Sequence, residues 1–433
     1  MTDRRTELPS SPRRRRLLAT LGVGLAVPLV LAGCGGAEAR EAELQAVLDA
    51  EWQKRFGADR SSGGLTLYME TGDDTYFAST VEGATAGSHF RAASTTKTFT
   101  AAAVMLLDQQ GLLRIDDRVV DAMPGRSEPY LPATVGYAIP NKERITIRLL
   151  LQHRAGVFDL SNQDVPASAD APYAGGSYLD WRRASDPRHT FTLDELAGVL
   201  AEHQLSNFEP GERYGYSDSG FMLLGKIIER VSGLPLHEFK RRNLLEPNGL
   251  ASTHFVSDGG EQALPAPFIR GYSQIEAGAV PQETTEYNYT YDPGSGNLVT
   301  TPRDLARWVR RLGRGEAGIS AAQVARMREV QADSNYGLGL IRREVDGTLL
   351  GYGHNGGTLG YLTDAYHDED TGISYVLQAS RIDFLDLGGQ IGWLGEVGVE
   401  LRRVATKKVE APSGFFGNRV ALELGKPSQR RLG

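Results

Sequence analysis

The chain has 433 residues, 23% of them charged, and a net charge of −7. This length allows one large domain or two small ones with a sizeable core. An acidic chain without a stripe of lysine and arginine excludes the electrostatic footprint of a nucleic-acid-binding protein.

The first 33 residues have the pattern of an export signal. Four arginines, Arg13 to Arg16, precede an apolar run from Leu17 to Leu31 that is short for a membrane span. The arginines resemble a twin-arginine signal, and a Sec signal fits almost as well. This segment carries six arginines and two acids, so its removal leaves a more acidic chain.

Cys34 follows Leu31-Ala32-Gly33, which matches a lipoprotein cleavage box, and it is the only cysteine in the chain. An intramolecular disulfide is therefore excluded. A buried structural cysteine is the alternative, but the position favours a lipidated N-terminus carrying a fatty acyl group such as palmitate. The sequence thus predicts a lipoprotein anchored to the outer face of the cell membrane.

The domain boundaries follow from these patterns. We expect a signal over residues 1–33, a tether over 34–43, a domain over 44–408 and a tail over 409–433, where periodicity is lost. Within the domain, the first predicted elements are a helix from Glu41 to Phe56 and a hairpin over 65–79.

Ser94 opens the next predicted helix, which ends at Gly111. Ser94 and Lys97 are three residues apart and share one helix face. A serine hydroxyl needs a base, and a lysine can serve only where burial or a second cation lowers its pKa. A chance Ser-x-x-Lys is the alternative, but this is the only one in the chain and it lies at the start of an apolar helix.

The stretch from Phe90 to Asp117, FRAASTTKTFTAAAVMLLDQQGLLRIDD, resembles the nucleophile helix of the serine β-lactamase and penicillin-binding superfamily. It looks closest to the branch of D-alanyl-D-alanine carboxypeptidases, class C β-lactamases and related esterases. Residues 144–156 resemble the family's ITIRHLLTHTSGL helix, and we interpret His153 there as a satisfied structural residue. The long polar segment 159–189 is expected to wall the cleft; its candidate substrate contacts are Tyr173, Tyr178 and Trp181.

Tyr216 lies in PGERYGYSDSG, which resembles the family's Tyr-x-Asn element. The resemblance implies that Tyr216 is a general base or proton shuttle beside Ser94, pushed toward phenolate by nearby cations. A core tyrosine is the alternative. Asp218 departs from the pattern, because it stands at the position of the asparagine. An ionised carboxylate only accepts hydrogen bonds, and it would hold Lys97 charged. We therefore expect weaker amide and β-lactam hydrolysis.

His354 is the second residue of GHNGGTLGY, which resembles the family's Lys/His-x-Gly strand. By resemblance, His354 is a cationic or hydrogen-bonding group facing Ser94 and Tyr216, and the backbone N–H of Gly357 forms the oxyanion hole with that of Ser94. A loop histidine at a glycine-rich turn is the alternative. Further substrate-binding candidates are Asn355 and Thr358, with Arg342 or Arg343 as substitutes for binding a carboxylate.

The resemblance covers roughly residues 65–404. It implies a mixed α/β fold in which an antiparallel sheet from both chain ends is flanked by helices, with a mostly helical insertion over about 115–320. It also implies an exported serine hydrolase forming a Ser94 acyl-enzyme, of the D-alanyl-D-alanine carboxypeptidase or β-lactamase-related type. An esterase, a penicillin-binding sensor with little turnover and an inactive binding lipoprotein are the alternatives.

The implied substrate is a peptidoglycan stem peptide, a β-lactam or an ester. No cofactor or metal is predicted, because the sequence contains neither His-Glu-x-x-His nor a Gly-x-Gly-x-x-Gly after a strand.

Overall fold

A computed structural model describes residues 31–72 and 74–407, with side chains from residue 36 onward. The helices in this part of the chain are α1 (Leu31–Phe56), α2 (Thr96–Gln109), α3 (Ile147–Leu151), α4 (Tyr178–Ser185), α5 (Leu193–Glu202), α6 (Asp218–Ser232), α7 (Leu236–Lys240), α8 (Pro302–Gly313), α9 (Ala321–Arg328) and α10 (Leu387–Thr406). The strands are β1 (Leu65–Thr71), β2 (Asp74–Ser79), β3 (Phe90–Arg91), β4 (His254–Phe255), β5 (Tyr272–Gln274), β6 (Gln282–Glu283), β7 (Leu298–Thr300), β8 (Ile341–Val345), β9 (Thr348–Thr358), β10 (Tyr361–His367), β11 (Ile373–Ala379) and β12 (Arg381–Asp383).

The main sheet joins the two ends of the described chain. Its strands are antiparallel neighbours in the order β2-β1-β11-β10-β9-β8. Strand β1 pairs with β11 over its whole length, from Leu65 opposite Ala379 to Thr71 opposite Ile373. The predicted antiparallel sheet from both chain ends is therefore confirmed, as is the β1–β2 hairpin. Asp73, in the predicted turn, lies outside the described residues.

The two faces of the sheet bury different helices, because successive side chains of a strand point to opposite sides. On one face, α1 and α10 contribute Trp52 and Leu394 to a core with strand residues such as Leu377. On the other face, α2 and α8 contribute Phe99 and Trp308, whose rings stack with centroids 3.9 Å apart. The nucleophile helix and the N-terminal helix thus lie on opposite faces of the sheet.

Helix α1 begins earlier than the sequence predicts. The segment 34–43, expected to be a tether, falls within this helix. Arg40 is buried, and its guanidinium donates to the backbone carbonyls of Val404 and, at 2.7 Å, of Lys407. These carbonyls lie at the C-terminal end of α10, where the last carbonyls of a helix are available to accept from a cation.

Between β3 and β7 the regular elements are mostly helices, α2 to α7, and they are joined by long loops that hold most of the residues. Helix α6 follows the predicted pattern, with Phe221, Leu224 and Ile228 fully buried, and ends at Gly233 with φ of +74°. Of the helix predicted over 144–156, the structure contains only α3. The prediction is wrong beyond Leu151, because His153 has φ of +56°, which is outside the range of a right-handed helix.

None of the helices in the described residues is both long enough and apolar enough to cross a bilayer. Residues 1–30 of the export signal predicted over 1–33, the side chain of Cys34 and the predicted tail over 409–433 lie outside what the structure describes.

Candidate active site

Ser94 lies in a single 3₁₀ turn, Ala93–Thr95, between strand β3 and helix α2. Ala93 has φ of +49°, an uncommon conformation for a residue with a Cβ. Its backbone N–H donates to the Tyr289 hydroxyl at 2.8 Å. The hydroxyls of Thr95 and Thr96 donate back to the carbonyls of Ala92 and Ala93. They therefore tighten the turn and do not cap helix α2.

Lys97 is fully buried one turn after Ser94. Its Nζ donates to Ser94 Oγ at 3.1 Å, to the Ser295 carbonyl at 3.0 Å and to Asp218 Oδ1. Three acceptors match the three N–H donors of an ammonium group. The arrangement therefore holds Lys97 as a cation next to the hydroxyl of Ser94.

Tyr216 contacts the same hydroxyl from the other side, with its phenol donating to Ser94 Oγ at 2.9 Å. Burial, followed by the charge of Asp218, raises the pKa of Tyr216 well above its ordinary value. The prediction that cations push Tyr216 toward phenolate is wrong, because Lys97, 4.8 Å from the ring centroid, is balanced by a carboxylate. The resting phenol is neutral.

Asp218 opens α6, whose N-cap is Ser217. One carboxylate oxygen pairs with Lys97, and the other accepts from Asn162 Nδ2 at 2.8 Å. The second hydrogen of that amide goes to Asp159 Oδ2, also at 2.8 Å. The predicted contact between Asp218 and Lys97 is thus present in the structure.

Two further carboxyl groups stand close to this pair, and sequence reasoning missed both. Burial and the charge of Asp218 raise the pKa of Asp159 to about 7 and that of Asp292 well above its ordinary value. Asp292 also accepts from the hydroxyl of Ser161. These residues come from loops, where the only local signal was that segment 159–189 is long and polar.

His354 is placed differently from the prediction. It is fully buried. Its Nδ1 faces the backbone carbonyl of Asn355, which can only accept a hydrogen bond, so Nδ1 carries the ring hydrogen. Its Nε2 therefore accepts from the Tyr336 hydroxyl at 2.9 Å. Burial and the charge of Lys97 lower the pKa of His354 to about 3. The cationic alternative predicted for His354 is therefore wrong, whereas a hydrogen bond is present, to Tyr336. The neutral ring lies with its centroid 6.4 Å from that of Tyr216.

Strand β9 brings its glycines against the nucleophile. A Cβ on Gly356 would lie 2.3 Å from the carbonyl oxygen of Ala92 and 3.1 Å from the Ser94 nitrogen, so only glycine fits there. Gly357 lines the cleft beside Ser94, as the oxyanion prediction requires. Thr358 also lines it, bonded to the hydroxyls of Tyr287 at 2.7 Å and Tyr291 at 2.9 Å.

Asn355 and two arginines are not brought to the cleft. Asn355 is opposite Asp364 in the sheet register, on the face covered by α10. Arg343 pairs with that same Asp364 at 3.3 Å, and Arg342 pairs with Glu344. Their predicted roles in substrate binding do not fit these positions.

The cleft has a volume of about 450 Å³. Its walls come from the Ser94 turn, the segment 159–189, the start of α6 and the end of β9. The side chains that define it include Ser94, Ser161, Asn162, Asp180, Arg183, Tyr216, Asp218, Tyr291, Asp292 and Thr358. The segment 159–189 thus lines the cleft, as expected.

The aromatic residues of that segment do not line the cleft. Tyr173 packs edge-on against Tyr178 with ring centroids 4.9 Å apart and lies 5.2 Å from Trp181. The Tyr178 hydroxyl is bonded to Glu195 of α5. These rings pack together beside α4 and are absent from the cleft wall, where the prediction expected them; Arg183 of α4 does line the cleft.

No cluster of metal-ligating side chains occurs within residues 31–72 and 74–407. Ser94 between a lysine and a tyrosine, at a glycine-rich strand edge, defines a serine-dependent acyl-transfer site. The family model described as Beta-lactamase matches residues 46–383, and the chain therefore belongs to this family of serine hydrolases. The resemblance stated from sequence is confirmed.

Related proteins agree with this assignment. The chain is 28% identical over 345 residues to penicillin-binding protein 4 of Amycolatopsis lactamdurans, covering 72% of this chain and 80% of that one. It is 26% identical over 288 residues to penicillin-binding protein 4* of Bacillus subtilis, covering 64% of this chain and only 57% of the relative's length.

Solved structures share the fold. A D-stereospecific amidohydrolase from a Streptomyces species has a TM-score of 0.68 at 24% identity, covering 85% of this chain and 99% of that one. The D-amino acid amidase of Ochrobactrum anthropi in complex with D-phenylalanine has a TM-score of 0.67 at 21% identity, covering 86% and 100%.

Proposed function

We propose that this protein is a serine acyl hydrolase that works through an acyl-enzyme on Ser94 and acts as a carboxypeptidase on peptides ending in D-alanyl-D-alanine. The observation that carries the proposal is the position of Ser94 Oγ, 3.1 Å from Lys97 Nζ and 2.9 Å from the Tyr216 hydroxyl, at the edge of an open cleft. A hydroxyl held between a cation and a phenol is arranged to lose its proton during attack.

The proton path follows from the neutral state of Tyr216. As Ser94 Oγ bonds to the substrate carbonyl carbon, its proton moves to Tyr216, which gives its own phenolic proton to the leaving nitrogen or oxygen. The ammonium of Lys97 stabilises the negative charge that develops on Ser94 Oγ. The backbone N–H groups of Ser94 and Gly357 receive the oxyanion, and water then releases the acyl group by the reverse path.

Arg183 supports a substrate with a terminal carboxylate. It lies on the cleft wall, with its guanidinium over the Tyr291 ring at 4.8 Å and paired with Asp180. A planar guanidinium can bind a carboxylate through two parallel hydrogen bonds. This residue takes the part that the sequence assigned to Arg342 or Arg343.

A second candidate activity is the hydrolysis of small esters. It is favoured by Asp218, which offers only acceptors to the acyl side of a substrate where the family's asparagine also offers a donor. Amides of D-amino acids belong in the same comparison, because the neighbouring solved structure is a D-amino acid amidase. A penicillin-binding sensor would share the acylation of Ser94 and lack the release of the acyl group by water.

Intact mass measurement with three acylating agents tests the proposal: a penicillin, an aryl ester and a D-alanyl-D-alanine peptide. Wild type should gain the acyl mass, and Ser94→Ala should gain none while keeping its fold by circular dichroism. Labelling that persists at another serine would overturn the assignment to Ser94. Rapid loss of the adduct identifies a hydrolase, and an adduct that persists for hours identifies a sensor.

We also propose that the protein is exported and anchored through a lipid on Cys34. The basic start, the apolar run and the cleavage box in residues 13–34 support this location. Peptidoglycan stem peptides would be within its reach there.

A further inference from the structure

His153 lies directly beneath Tyr216 and takes no part in the proposed proton transfer. It is 2% exposed, and its backbone carbonyl accepts the N–H of Gly215 at 2.8 Å. Its ring Nδ1 accepts the N–H of Ser217 at 3.1 Å. A single residue thus binds the backbone on both sides of Tyr216.

The ring of His153 also supports the phenol from below. Its centroid is 4.3 Å from that of Tyr216, with the two planes at 34°. Phe221 and Tyr336 pack against the same imidazole at 5.0 and 4.6 Å. Because the imidazole is wedged among these rings, Tyr216 has no room to withdraw from Ser94.

The protonation state and backbone of His153 are both constrained. Since Nδ1 accepts a hydrogen bond, the ring hydrogen is on Nε2, which has no hydrogen-bond partner among the described residues. The φ of +56° is uncommon for a histidine and persists only where surrounding contacts impose it. The interpretation of His153 as a satisfied structural residue is therefore wrong at Nε2, whose buried N–H has no partner within the described part of the chain.

We propose that His153 is a positioning residue for acyl transfer, which holds residues 215–217 so that the Tyr216 hydroxyl meets Ser94 and Asp218 meets Lys97. Two hydrogen bonds fix the backbone on either side of Tyr216, and the ring contact fixes its phenol. Tyr216 and Asp218, two residues apart on this segment, then reach Ser94 and Lys97 respectively. This inference rests on the proposed acyl-enzyme function.

Two substitutions separate positioning from folding. His153→Asn keeps a side-chain acceptor and a residue that tolerates positive φ, whereas His153→Leu removes the acceptor and disfavours that backbone. His367→Leu is the matched control, because His367 is 1% exposed and bonded to Ser374 in the main sheet, away from the cleft.

The acylation rate constant and the dissociation constant are measured by stopped flow with a chromogenic β-lactam and an aryl ester. Rates are divided by the fraction of protein in which Ser94 can be labelled. His153→Leu should acylate about 10²-fold more slowly, as expected for a misplaced proton carrier, with a dissociation constant within about threefold of wild type. His153→Asn should recover most of the rate, and His367→Leu should match wild type per labelled site. Equal rates for His153→Leu and wild type, or an equal fall in the His367 variant, would overturn the proposal.

Amide hydrogen exchange gives a second readout that needs no substrate. The Ser217 amide should exchange faster in His153→Leu and stay protected in His153→Asn and in His367→Leu. Unchanged protection in a folded His153→Leu would overturn the positioning role even if labelling succeeds. If no agent labels wild-type Ser94, the proposed function fails on its own, and exchange still decides whether His153 holds the segment.

Discussion

At the scale of single residues, the unusual feature of the site is its charge balance. One buried ammonium, Lys97, shares its surroundings with Asp159, Asp218 and Asp292, of which Asp218 makes the direct ion pair. Burial, and after it the charge of Asp218, raises the pKa of Asp159 to about 7, since buried carboxylates resist ionising together. The site therefore offers acceptors and negative charge to an acyl substrate.

We predict that Asp218→Asn raises the rate on a β-lactam relative to an aryl ester by about tenfold. The reason is that one missing hydrogen bond to a buried polar group costs about 1–3 kcal/mol, and each 1.4 kcal/mol is about a factor of ten in rate. The measurement is the ratio of kcat/KM for the two substrates in wild type and variant. Asn162 donates to Asp218 and must turn its amide to accommodate the change, so thermal stability is measured alongside.

Asp194→Asn is the control, since it removes a carboxylate that pairs with a lysine, Lys226, away from the cleft. It should leave the ratio within about twofold of wild type. If Asp218→Asn leaves the ratio unchanged, or lowers both rates together, Asp218 belongs to the native proton path and the reason given for the ester preference is wrong.

Lys240 gives a second prediction, on stability. It is fully buried in α7, its Nζ has no hydrogen-bond partner among the described residues, and it lies 4.3 Å from the Phe255 ring centroid. Burial, followed by the charge of Lys97, lowers the pKa of Lys240 well below its ordinary value. Lys240→Met, of similar volume and without an amine, should raise the free energy of unfolding by about 1–3 kcal/mol at pH 7.

The sign of the pH dependence follows from linkage. Lys240 in the unfolded chain keeps its proton up to about pH 10.4, whereas in the folded chain its pKa is lower. Because the unfolded state then binds more protons than the folded state, the free energy of unfolding of wild type rises with pH up to that value. The advantage of Lys240→Met should therefore shrink between pH 7 and pH 10 in urea titrations. Lys226→Met is the control, because Lys226 is paired with Asp194 at 2.8 Å and should give no gain. A constant or growing advantage would contradict the account.

What the sequence could predict at this scale depends on how local the signal is. Ser94 and Lys97 are fixed by helical spacing, and Tyr216 by a motif joined to an amphipathic helix. Asp159 and Asp292 reach the site through loop paths that no periodicity encodes. The charge state of His354 depends on burial among side chains distant in sequence, so a motif alone gave the wrong ionisation.

At the scale of elements, α4 shows how a loop that looks irregular in sequence becomes a functional wall. Ser177 caps this helix by accepting the N–H of Asp180 at 3.2 Å. Tyr178 and Trp181 take part in the aromatic cluster, while Arg183 lies on the cleft wall. The sequence shows that this segment is polar and aromatic. Which side of the eight-residue helix faces the cleft depends on the residues packed around it, and these are distant in sequence.

We predict that Arg183→Gln raises KM for a peptide with a free terminal carboxylate by about tenfold or more. A hydrogen bond to a charged group contributes about 1.5–3 kcal/mol, and each 1.4 kcal/mol is about tenfold in affinity. The same peptide with a C-terminal amide should show an unchanged KM, because it carries no negative charge for the guanidinium to bind.

Arg182→Gln controls for the loss of one arginine from the same helix. Arg182 lies 3.9 Å from Glu195 and does not line the cleft. It should leave both KM values close to wild type. Equal changes for the acid and the amide in Arg183→Gln would mean that the terminal carboxylate binds elsewhere.

At the scale of the whole molecule, the sheet separates the N-terminal helix from the catalytic helix. Helices α1 and α10 cover one face, and α2 with Ser94 at its start lies against the other. Arg40 ties α1 to the end of α10 only six residues after Cys34. Six residues of helix span about 9 Å, so a lipid on Cys34 would hold the α1–α10 face close to the membrane.

This geometry makes the location of the protein testable with one substitution. Cys34→Ala removes the acceptor of the proposed lipid, and the protein should move from the membrane fraction to the soluble fraction after cell disruption. A single acyl chain gives marginal binding, whereas a processed lipoprotein with several chains stays bound. Mass measurement of the N-terminal peptide of wild type should find the acylated cysteine. Membrane association that persists in Cys34→Ala would mean that the apolar run over residues 17–31 is retained as the anchor.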